Sequence, residues 1–505
     1  MKKILVIVLT ISFSVIAETK DHTLRLNGSL GLGAGYVNIN KDNIREYPEG
    51  NNYLMELSAI GKLDENEVGG ILNLSYDRLN KTKIENAYFS LSLPGGKLEG
   101  GDVLGDISEL TMKNTSIRGI MGSFQETKNI LFGVGVSRKK EKPSVDTPGS
   151  YRQWFSLIRL TSVARNNPLG ITYLNCEDDP SSVSLSNVEP MENKVLAGDI
   201  TVLLARKLSI KSEIAFSEYN KDKKKEEMIY KNKAFLFGGD LNFTSLSFEG
   251  LYQYIEPNFY TAGNIGLNVG KEGGEFKIKY IPSDKPYKTS LNFEYYDDDP
   301  NEKRDIITTT RIYEFNTGIE PEDFPEIFLN YKKTNQRNNN YSPSKIEKCI
   351  SLGTSYRIRN ISGSFDYKRT NSDNMFDDKY DFLLSSYSCN LFGSIKNNFS
   401  ISSYLSFIRN KIGKEKAKHN SNSYILSTPW TPVSTLRVAP FYEHLETKEK
   451  GSIILKTTTI SLSCDYSVSS KYQINLMYKR INNKEKDLAK NYKGNSFSMK
   501  LLTLF

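Results

Sequence analysis

Apolar and polar side chains alternate along most of this sequence, and this pattern restricts the fold more than any other feature. It is clearest in segments 246–254, 275–280, 361–368 and 472–479, where every second residue is mostly aliphatic or aromatic. Successive side chains of a β-strand point to opposite faces, so each segment would have one apolar and one polar face. Long helical patterns are absent. The sequence therefore predicts an all-β chain.

A soluble β-sandwich or a solenoid would also alternate, but three features favour a membrane barrel. Many runs approach the roughly 9–11 residues that a tilted membrane strand needs. Their polar faces carry charges, and aromatic residues such as Tyr472 and Tyr478 lie near strand ends, where interfacial girdles form. The mean hydropathy is only −0.47 although the chain has 30 Tyr and 25 Phe. We predict a single transmembrane antiparallel β-barrel of about 24 strands, with a range of 20–28.

The first residues have the pattern of a secretory signal peptide. Lys2 and Lys3 precede an uncharged stretch at 4–16, and Val15 and Ala17 supply the small residues of a cleavage site. A membrane anchor is the alternative, but this stretch is shorter than the roughly 20 residues that a spanning helix needs. We therefore expect a cleaved signal peptide at 1–17 and a barrel at 18–505.

The last strand carries a recognisable pattern. Phe497, Met499, Leu501, Thr503 and Phe505 share one face, and all but Thr503 are apolar. This ending resembles the C-terminal barrel-assembly signal of Gram-negative outer-membrane β-barrel proteins, including porins. The resemblance implies recognition by the barrel-assembly machinery, closure against the first strand and a place in the outer membrane with both termini periplasmic. Outer-membrane lipid and lipopolysaccharide would then be partners.

Residue types suited to catalysis are scarce. The histidines are His22, His419 and His444, and none has a local arrangement typical of a catalytic triad. The four cysteines form no C-x-x-C pair. We expect no catalytic residues, no metal and no cofactor, with an outer-membrane hydrolase as the remaining enzymatic alternative.

The charge pattern argues against a nucleic-acid partner. The chain has 67 Lys and Arg against 59 Asp and Glu, so both signs are abundant along it. A nucleic-acid binder would concentrate basic residues on one stripe. We expect no nucleic-acid binding.

The connections differ in length. Segments 371–379, 410–421, 446–451 and 482–493 read as longer charged loops, and 390–394, 428–433 and 468–471 as tight turns. Such alternation is typical of outer-membrane barrels. Counting backwards places 219–233 on the short-turn side, which conflicts with its length and indicates a miscounted strand between residues 270 and 328.

A glycine-rich stretch at 95–119 interrupts the alternation. Glycines permit sharp bends or close backbone approach, so a glycine-rich hairpin followed by a strand explains it. The pairs Gly101-Asp102 and Arg118-Gly119 also resemble, over a short match, the Gly-Asp turn and Arg-Gly strand of large secretion and usher-type barrels.

We expect a porin-like channel for passive diffusion of polar solutes, with inward charges setting its selectivity. The alternative is an export or assembly conduit, or a surface-binding barrel, whose lumen is blocked by inward folding of 95–119. The sequence is also compatible with a homo-oligomer. The candidate lumen charges are Lys277, Lys279, Arg357, Arg359, Asp366, Lys368 and Lys479.

Overall fold

The computed structural model describes most of the chain. The described residues are 16–19, 22–40, 50–76, 82–125, 128–138, 149–164, 167–183, 188–223, 225, 229–298, 307–322, 324–338, 341–374, 381–396, 398–413, 417–449, 452–485 and 492–504. The predicted signal peptide falls almost wholly outside them. Within them, no helix is long and apolar enough to cross a membrane.

Twenty-eight strands form one antiparallel sheet. The first fourteen are β1 (Ile16–Thr19), β2 (His22–Asn40), β3 (Gly50–Leu63), β4 (Asn66–Tyr76), β5 (Thr82–Leu93), β6 (Gly96–Gly105), β7 (Thr115–Gln125), β8 (Lys128–Arg138), β9 (Arg152–Ala164), β10 (Asn167–Asp179), β11 (Glu192–Ala205), β12 (Leu208–Asn220), β13 (Ile229–Asn242) and β14 (Leu246–Ile255). The others are β15 (Lys271–Tyr280), β16 (Tyr287–Asp298), β17 (Thr308–Ile319), β18 (Glu326–Asn338), β19 (Tyr341–Ile358), β20 (Ile361–Asn374), β21 (Phe382–Lys396), β22 (Phe399–Ile412), β23 (Ala417–Ser427), β24 (Trp430–Val433), β25 (Leu436–Glu449), β26 (Ser452–Ser467), β27 (Tyr472–Glu485) and β28 (Tyr492–Leu504).

The sheet closes on itself, because β2 pairs with β28 from Ser29↔Leu504 to Asn40↔Lys493. The wall has 26 strands, since β1 pairs only with β2 and β24 continues the line of β23 between β22 and β25. Closure gives every strand of the wall a partner on both sides, so the sheet has no edge strand of the kind that hydrocarbon would not tolerate. The predicted all-β barrel is confirmed, and 26 strands lie within the predicted range.

The two ends of the barrel differ. One end carries tight connections such as 64–65, 94–95, 165–166 and 206–207, and the other carries the longest ones, including 106–114 and 256–270. We name these the short-turn end and the long-loop end. β2 begins and β28 ends at the short-turn end, because the strands alternate in direction around an even-numbered wall.

Three predicted connections need correction. The connection after β12, within 219–233, lies at the long-loop end, because β15 to β18 are four separate strands between residues 270 and 339. The predicted turn at 390–394 lies inside β21, which continues to Lys396. The predicted turn at 428–433 contains β24, and the tight connection follows it at 434–435.

The two faces of the wall have different exposure. On β9 to β12, Ile158, Ile171, Leu196 and Phe216 are 47%, 54%, 51% and 52% exposed. Large exposed apolar side chains of this kind continue around the sheet. A face of that composition suits lipid, so it is the outer face, and the alternate residues point into the lumen.

The C-terminal strand pairs as its pattern predicts. Phe497, Met499 and Leu501 lie opposite Tyr36, Ala34 and Leu32 of β2, and they share the outer face. Phe505 lies outside the described residues. The predicted closure against the first barrel strand is confirmed, whereas recognition by the assembly machinery stays a prediction.

Candidate lumen and its inward-folded loops

Residues 106–114, which connect β6 to β7, form the first inner loop. Leu110, Thr111 and Met112 are fully buried, and the loop is closed by Ile107 N donating to Met112 O at 2.7 Å. Leu110 and Met112 pack with inner-face residues of the wall such as Phe155 and Leu174. Since these wall residues face away from lipid, the loop lies inside the barrel.

Residues 256–270, which connect β14 to β15, form the second inner loop. Phe259, Thr261 and Ala262 are 1–2% exposed. Asn193 on β11 holds the backbone of this loop, because its Nδ2 donates to Tyr260 O at 2.9 Å and its Oδ1 accepts from Ala262 N at 3.0 Å. Ser217 Oγ on β12 also donates to Tyr260 O.

The two inner loops bind each other. Thr261 Oγ1 donates to Thr111 O at 2.7 Å, and Lys113 N donates to Gly263 O at 2.9 Å. A Cβ at Gly263 would lie 2.3 Å from Thr111 O, so this approach requires glycine. The loops therefore form one unit on the lumen side of the wall.

A buried carboxylate on the wall holds the first inner loop. Glu213 on β12 is 8% exposed, and its Oε1 accepts hydrogen bonds from Ser108 Oγ at 2.7 Å and from Leu110 N at 3.2 Å. Nearby, Arg159 donates to both carboxylate oxygens of Asp199 at 2.6 and 2.9 Å. Such charge-assisted bonds are stronger than neutral ones, so they hold the first inner loop against β12 and link β9 to β11.

The first inner loop is reached by a hairpin that separates from its neighbours. The pairing of β5 with β6 ends at Tyr88↔Gly101, and the pairing of β7 with β8 ends at Arg118↔Val136. Beyond these pairs the tips of β6 and β7 pair only with each other. The wall is therefore split beside this hairpin, which frees its tip to turn inward.

An ion pair marks the point of separation. Arg118 Nε and Nη2 donate to the two carboxylate oxygens of Asp102, each at 2.6 Å, and Asp102 Oδ2 also accepts from Ala87 N at 2.9 Å. Gly101 has φ +92°, a conformation that favours glycine. The motif residues Gly101, Asp102 and Arg118 therefore form the bend of this hairpin.

We expect Asp102→Ala to destabilise the barrel by about 1–3 kcal/mol, because a half-buried guanidinium and the Ala87 N–H both lose their acceptor. Urea unfolding in detergent would measure this. The control is Lys97→Ala on the same strand, whose ion pair with Glu99 is more exposed and should contribute under about 1 kcal/mol. Equal losses in both variants would contradict this role of Asp102.

Six of the seven candidate lumen charges lie on the inner face: Lys277, Lys279, Arg357, Asp366, Lys368 and Lys479. They are spread over β15, β19, β20 and β27 and form no single cluster. Arg359 needs correction, because β19 ends at Ile358 and Arg359 occupies the following turn with φ 47°. It therefore lies at the rim of the short-turn end. The influence of these charges on selectivity stays a prediction.

The inner wall from β15 to β28 is mostly polar. Asn330 Nδ2 donates to Glu314 Oε1 at 2.9 Å, and Thr457 Oγ1 donates to Asn483 Oδ1 at 2.6 Å. Lys279 pairs with Glu249, and Lys500 pairs with Glu56 of β3 across the closure. This wall offers charged and hydrogen-bonding groups to water along the lumen.

In the strands that the structure describes, neither His419 nor His444 belongs to a catalytic arrangement. His419 faces inward beside Glu449, with Nε2 3.7 Å from its Oε1, whereas His444 shares the outer face with Thr458 and Tyr424. Within the described part of the chain, no cluster of three or more His, Cys, Asp or Glu could hold a metal ion.

The second inner loop was missed by sequence reasoning. Its signal is Phe259 together with Gly263, Gly266 and Gly270 in a connection that has no strand alternation. The first inner loop, in contrast, lies within the stretch 95–119 whose inward folding the blocked-lumen hypothesis predicted.

No protein-family model matches the sequence, and no curated protein matches it. Solved structures do. A mutant of the ferric enterobactin receptor PfeA of Pseudomonas aeruginosa aligns with a TM-score of 0.50 and 9% identity over 95% of this chain and 80% of that one. The siderophore receptor PirA of the same organism aligns with a TM-score of 0.46 and 11% identity over the same shares, 95% and 80%.

A third similar structure is a Pseudomonas aeruginosa protein named OccK3 (OpdO), with a TM-score of 0.36 and 13% identity over 68% of this chain and 96% of that one. At these identities the likeness concerns the fold alone. Together with the closed sheet and its exposed apolar outer face, the likeness to the PfeA structure defines the fold. The chain has the fold of Gram-negative outer-membrane β-barrel proteins, as a closed antiparallel barrel of 26 strands.

Proposed function

We propose that this protein is an outer-membrane, porin-like channel for passive diffusion of polar solutes. The observation that carries the proposal is the polar inner wall from β15 to β28, where Lys277, Asp366 and Lys479 point into the lumen. A barrel with more strands than the roughly 16–18 of common porins encloses a wider lumen. The inner loops cover the wall between β7 and β14, which leaves the polar half as the path.

Solutes would cross by diffusion through water beside this wall. Glu249, Glu275, Glu294 and Glu314 lie on the inner face of four successive strands, β14 to β17. Lys277 lies opposite Glu249, and Lys279 pairs with it. Both signs therefore face the path, and no step requires a bound group.

The test is single-channel conductance of the purified, folded protein in planar bilayers. A porin-like channel gives stable conductance steps that rise in proportion to salt concentration. Heat-dependent gel migration confirms folding beforehand. Folded protein that never conducts would contradict the proposal.

We expect the double variant Lys277→Gln with Lys279→Gln to shift the reversal potential in a salt gradient towards cations, because it removes two positive charges from the path. Lys231→Gln with Lys233→Gln is the matched control, since these lysines lie on the outer face of β13. An identical reversal potential in both variants and the wild type would contradict a role for the lumen charges.

A second candidate function is an export or assembly conduit, or a surface-binding barrel, with a lumen blocked at rest. The inner loops favour it, because they fill part of the lumen with apolar side chains such as Leu110 and Phe259. It predicts a folded but non-conducting protein that begins to conduct when the first inner loop is removed.

The difference between the two ends supports one orientation of the barrel. We propose that the short-turn end, which carries both barrel termini, faces the periplasm and that the long-loop end faces outward. The barrel-assembly machinery is the proposed partner in insertion. Protease added to intact cells should cut only long-loop connections; cleavage at the short turns would contradict this orientation.

A further inference from the structure

A row of aromatic side chains runs around the outer face, on the long-loop side of the apolar band. From β17 to β28 it comprises Tyr313, Tyr331, Tyr367, Tyr387, Phe407, Tyr424, Tyr442, Tyr478 and Phe497. Two pairs of rings within the row contact each other, with centroids 5.0 Å apart for Tyr367 and Tyr387 and 5.8 Å apart for Phe407 and Tyr424. This row corresponds to an interfacial girdle.

Cationic side chains lie beyond this girdle, on its long-loop side. We name them the basic arc: Arg311, Lys333, Arg337, Lys348, Arg369, Arg409, Lys411, Lys448, Lys456, Arg480, Lys484 and Lys493. The register shows that they point outward. Arg369 lies opposite Ile350 and Arg480 opposite Ile460, and these isoleucines are 45% and 49% exposed.

The arc lies at the height of lipid headgroups. On β27, Tyr472 lies at the short-turn side of the apolar band, and Arg480 follows eight residues later. At about 3.3 Å per residue and a tilt of roughly 40°, this is a vertical distance of about 20 Å, close to the height of an outer-membrane apolar band. Guanidinium and ammonium groups would therefore reach the headgroup layer at the long-loop end.

Few carboxylates neutralise the arc. Among the described residues, Asp373 and Glu446 are the acidic side chains on the outer face of β17 to β28. Glu446 binds Lys448 at 2.6 Å and Lys456 at 3.9 Å, and Asp373 accepts from Asn371 at 3.1 Å. Arg369, Arg409 and Arg480 are exposed and have no carboxylate partner in the part of the chain that the structure describes.

The opposite side of the barrel has a different charge pattern. There, Lys194 pairs with Glu192 at 2.8 Å and Lys231 with Glu218 at 3.7 Å. Further round, Glu272 on β15 lies opposite Asp297 on β16, with no lysine or arginine between them. Within the described strands, outward cations are therefore more numerous and less neutralised by carboxylates on β17 to β28 than on β11 to β16.

We propose that the basic arc binds the phosphate groups of lipid headgroups in the leaflet at the long-loop end, the chemistry that lipopolysaccharide presents. Charge-assisted bonds from arginine to phosphate are frequently bidentate, and each cation near an anionic surface contributes to lipid attraction. The aromatic girdle beneath the arc would contact the adjoining acyl chains. This inference goes beyond the channel function and does not depend on conductance.

The experiment compares two triple variants of the folded full-length protein. Arg369→Gln, Arg409→Gln and Arg480→Gln remove three charges from the arc. Lys194→Gln, Lys231→Gln and Lys233→Gln remove the same charge from the other side. Each protein is reconstituted into phosphatidylcholine vesicles with fluorescent lipid A that carries either two phosphates or none, and enrichment around the barrel is measured by energy transfer from the protein.

We expect wild type and the Lys triple variant to concentrate the bisphosphorylated lipid A, and the Arg triple variant to lose this preference by about tenfold or more. Lipid A without phosphate should show no preference in any of them. Wild-type enrichment in the Arg variant, or an equal loss in both triple variants, would overturn the proposal. Full displacement by millimolar inorganic phosphate would also overturn it, since it would indicate a site for free phosphate.

Discussion

Deleting residues 107–112 should enlarge the conductance of the channel while leaving the barrel folded. The deletion removes the buried Leu110 and Met112 from the lumen. The hairpin remains, since Gly105 still pairs with Thr115 and residues 106, 113 and 114 can form its turn. Asn114 already has a positive φ of 50°, as a tight turn requires. Single-channel recordings should show larger steps, and liposome swelling should admit larger sugars.

A point variant tests whether the first inner loop obstructs the lumen, without shortening the chain. Glu213→Ala removes the acceptor of Ser108 Oγ and Leu110 N and should loosen the loop by about 1–3 kcal/mol. The recordings should then show fluctuation between two conductance levels. Glu109→Ala in the same loop is the control, because that side chain is exposed. Unchanged conductance in the deletion variant would contradict an inner position of the loop.

Met499→Lys should destabilise the barrel by about 2–4 kcal/mol, because it places a charge on the lipid face near the middle of the apolar band. Met499 lies between Leu476 and Ala34 on the outer face, at the closure of the barrel. Guanidinium unfolding in lipid vesicles, followed by heat-dependent gel migration, would measure this loss.

The neighbouring residue supplies the control for this prediction. Ser498 lies on the inner face of the same strand, opposite Met477, so Ser498→Lys places its charge in the lumen. This variant should change the free energy of unfolding by less than about 1 kcal/mol. Similar losses for the two variants would contradict the assignment of outer and inner faces.

Local pattern was enough to predict the wall. The alternation in β14, β15, β20 and β27 is a property of neighbouring residues, and it placed Lys277, Asp366 and Lys479 on the polar face before any pairing was known. It failed at Arg359 because alternation does not mark where a strand ends. Polar strands such as β23 also read as loops, since Ser421 and Ser423 face the lumen while Asn420 and Asn422 interrupt the apolar pattern of the outer face.

The inner loops show why the rest could not be predicted. Contacts between Thr111 and Thr261 join residues that are 150 positions apart, and nothing in either segment specifies the other. The glycines of 95–119 indicated a bend, whereas the direction of that bend depends on Glu213 on a distant strand. The sequence did not indicate the basic arc for a related reason. Its members are single residues on separate strands, and only the register of the barrel brings them to one height.

The four native cysteines allow the most direct test of a closed barrel with a hydrated lumen and inner loops. Cys349 faces the lumen, Cys389 and Cys464 lie on the outer face, and Cys176 is buried beneath the inner loops. The measurement is labelling of the folded protein in lipid vesicles with a charged, membrane-impermeant thiol reagent, followed by peptide mass spectrometry. Modification of Cys349 alone is the predicted result, with Cys176 reacting only after denaturation. Modification of Cys389 and Cys464 with protection of Cys349 would contradict the account, since it would reverse the two faces of the wall.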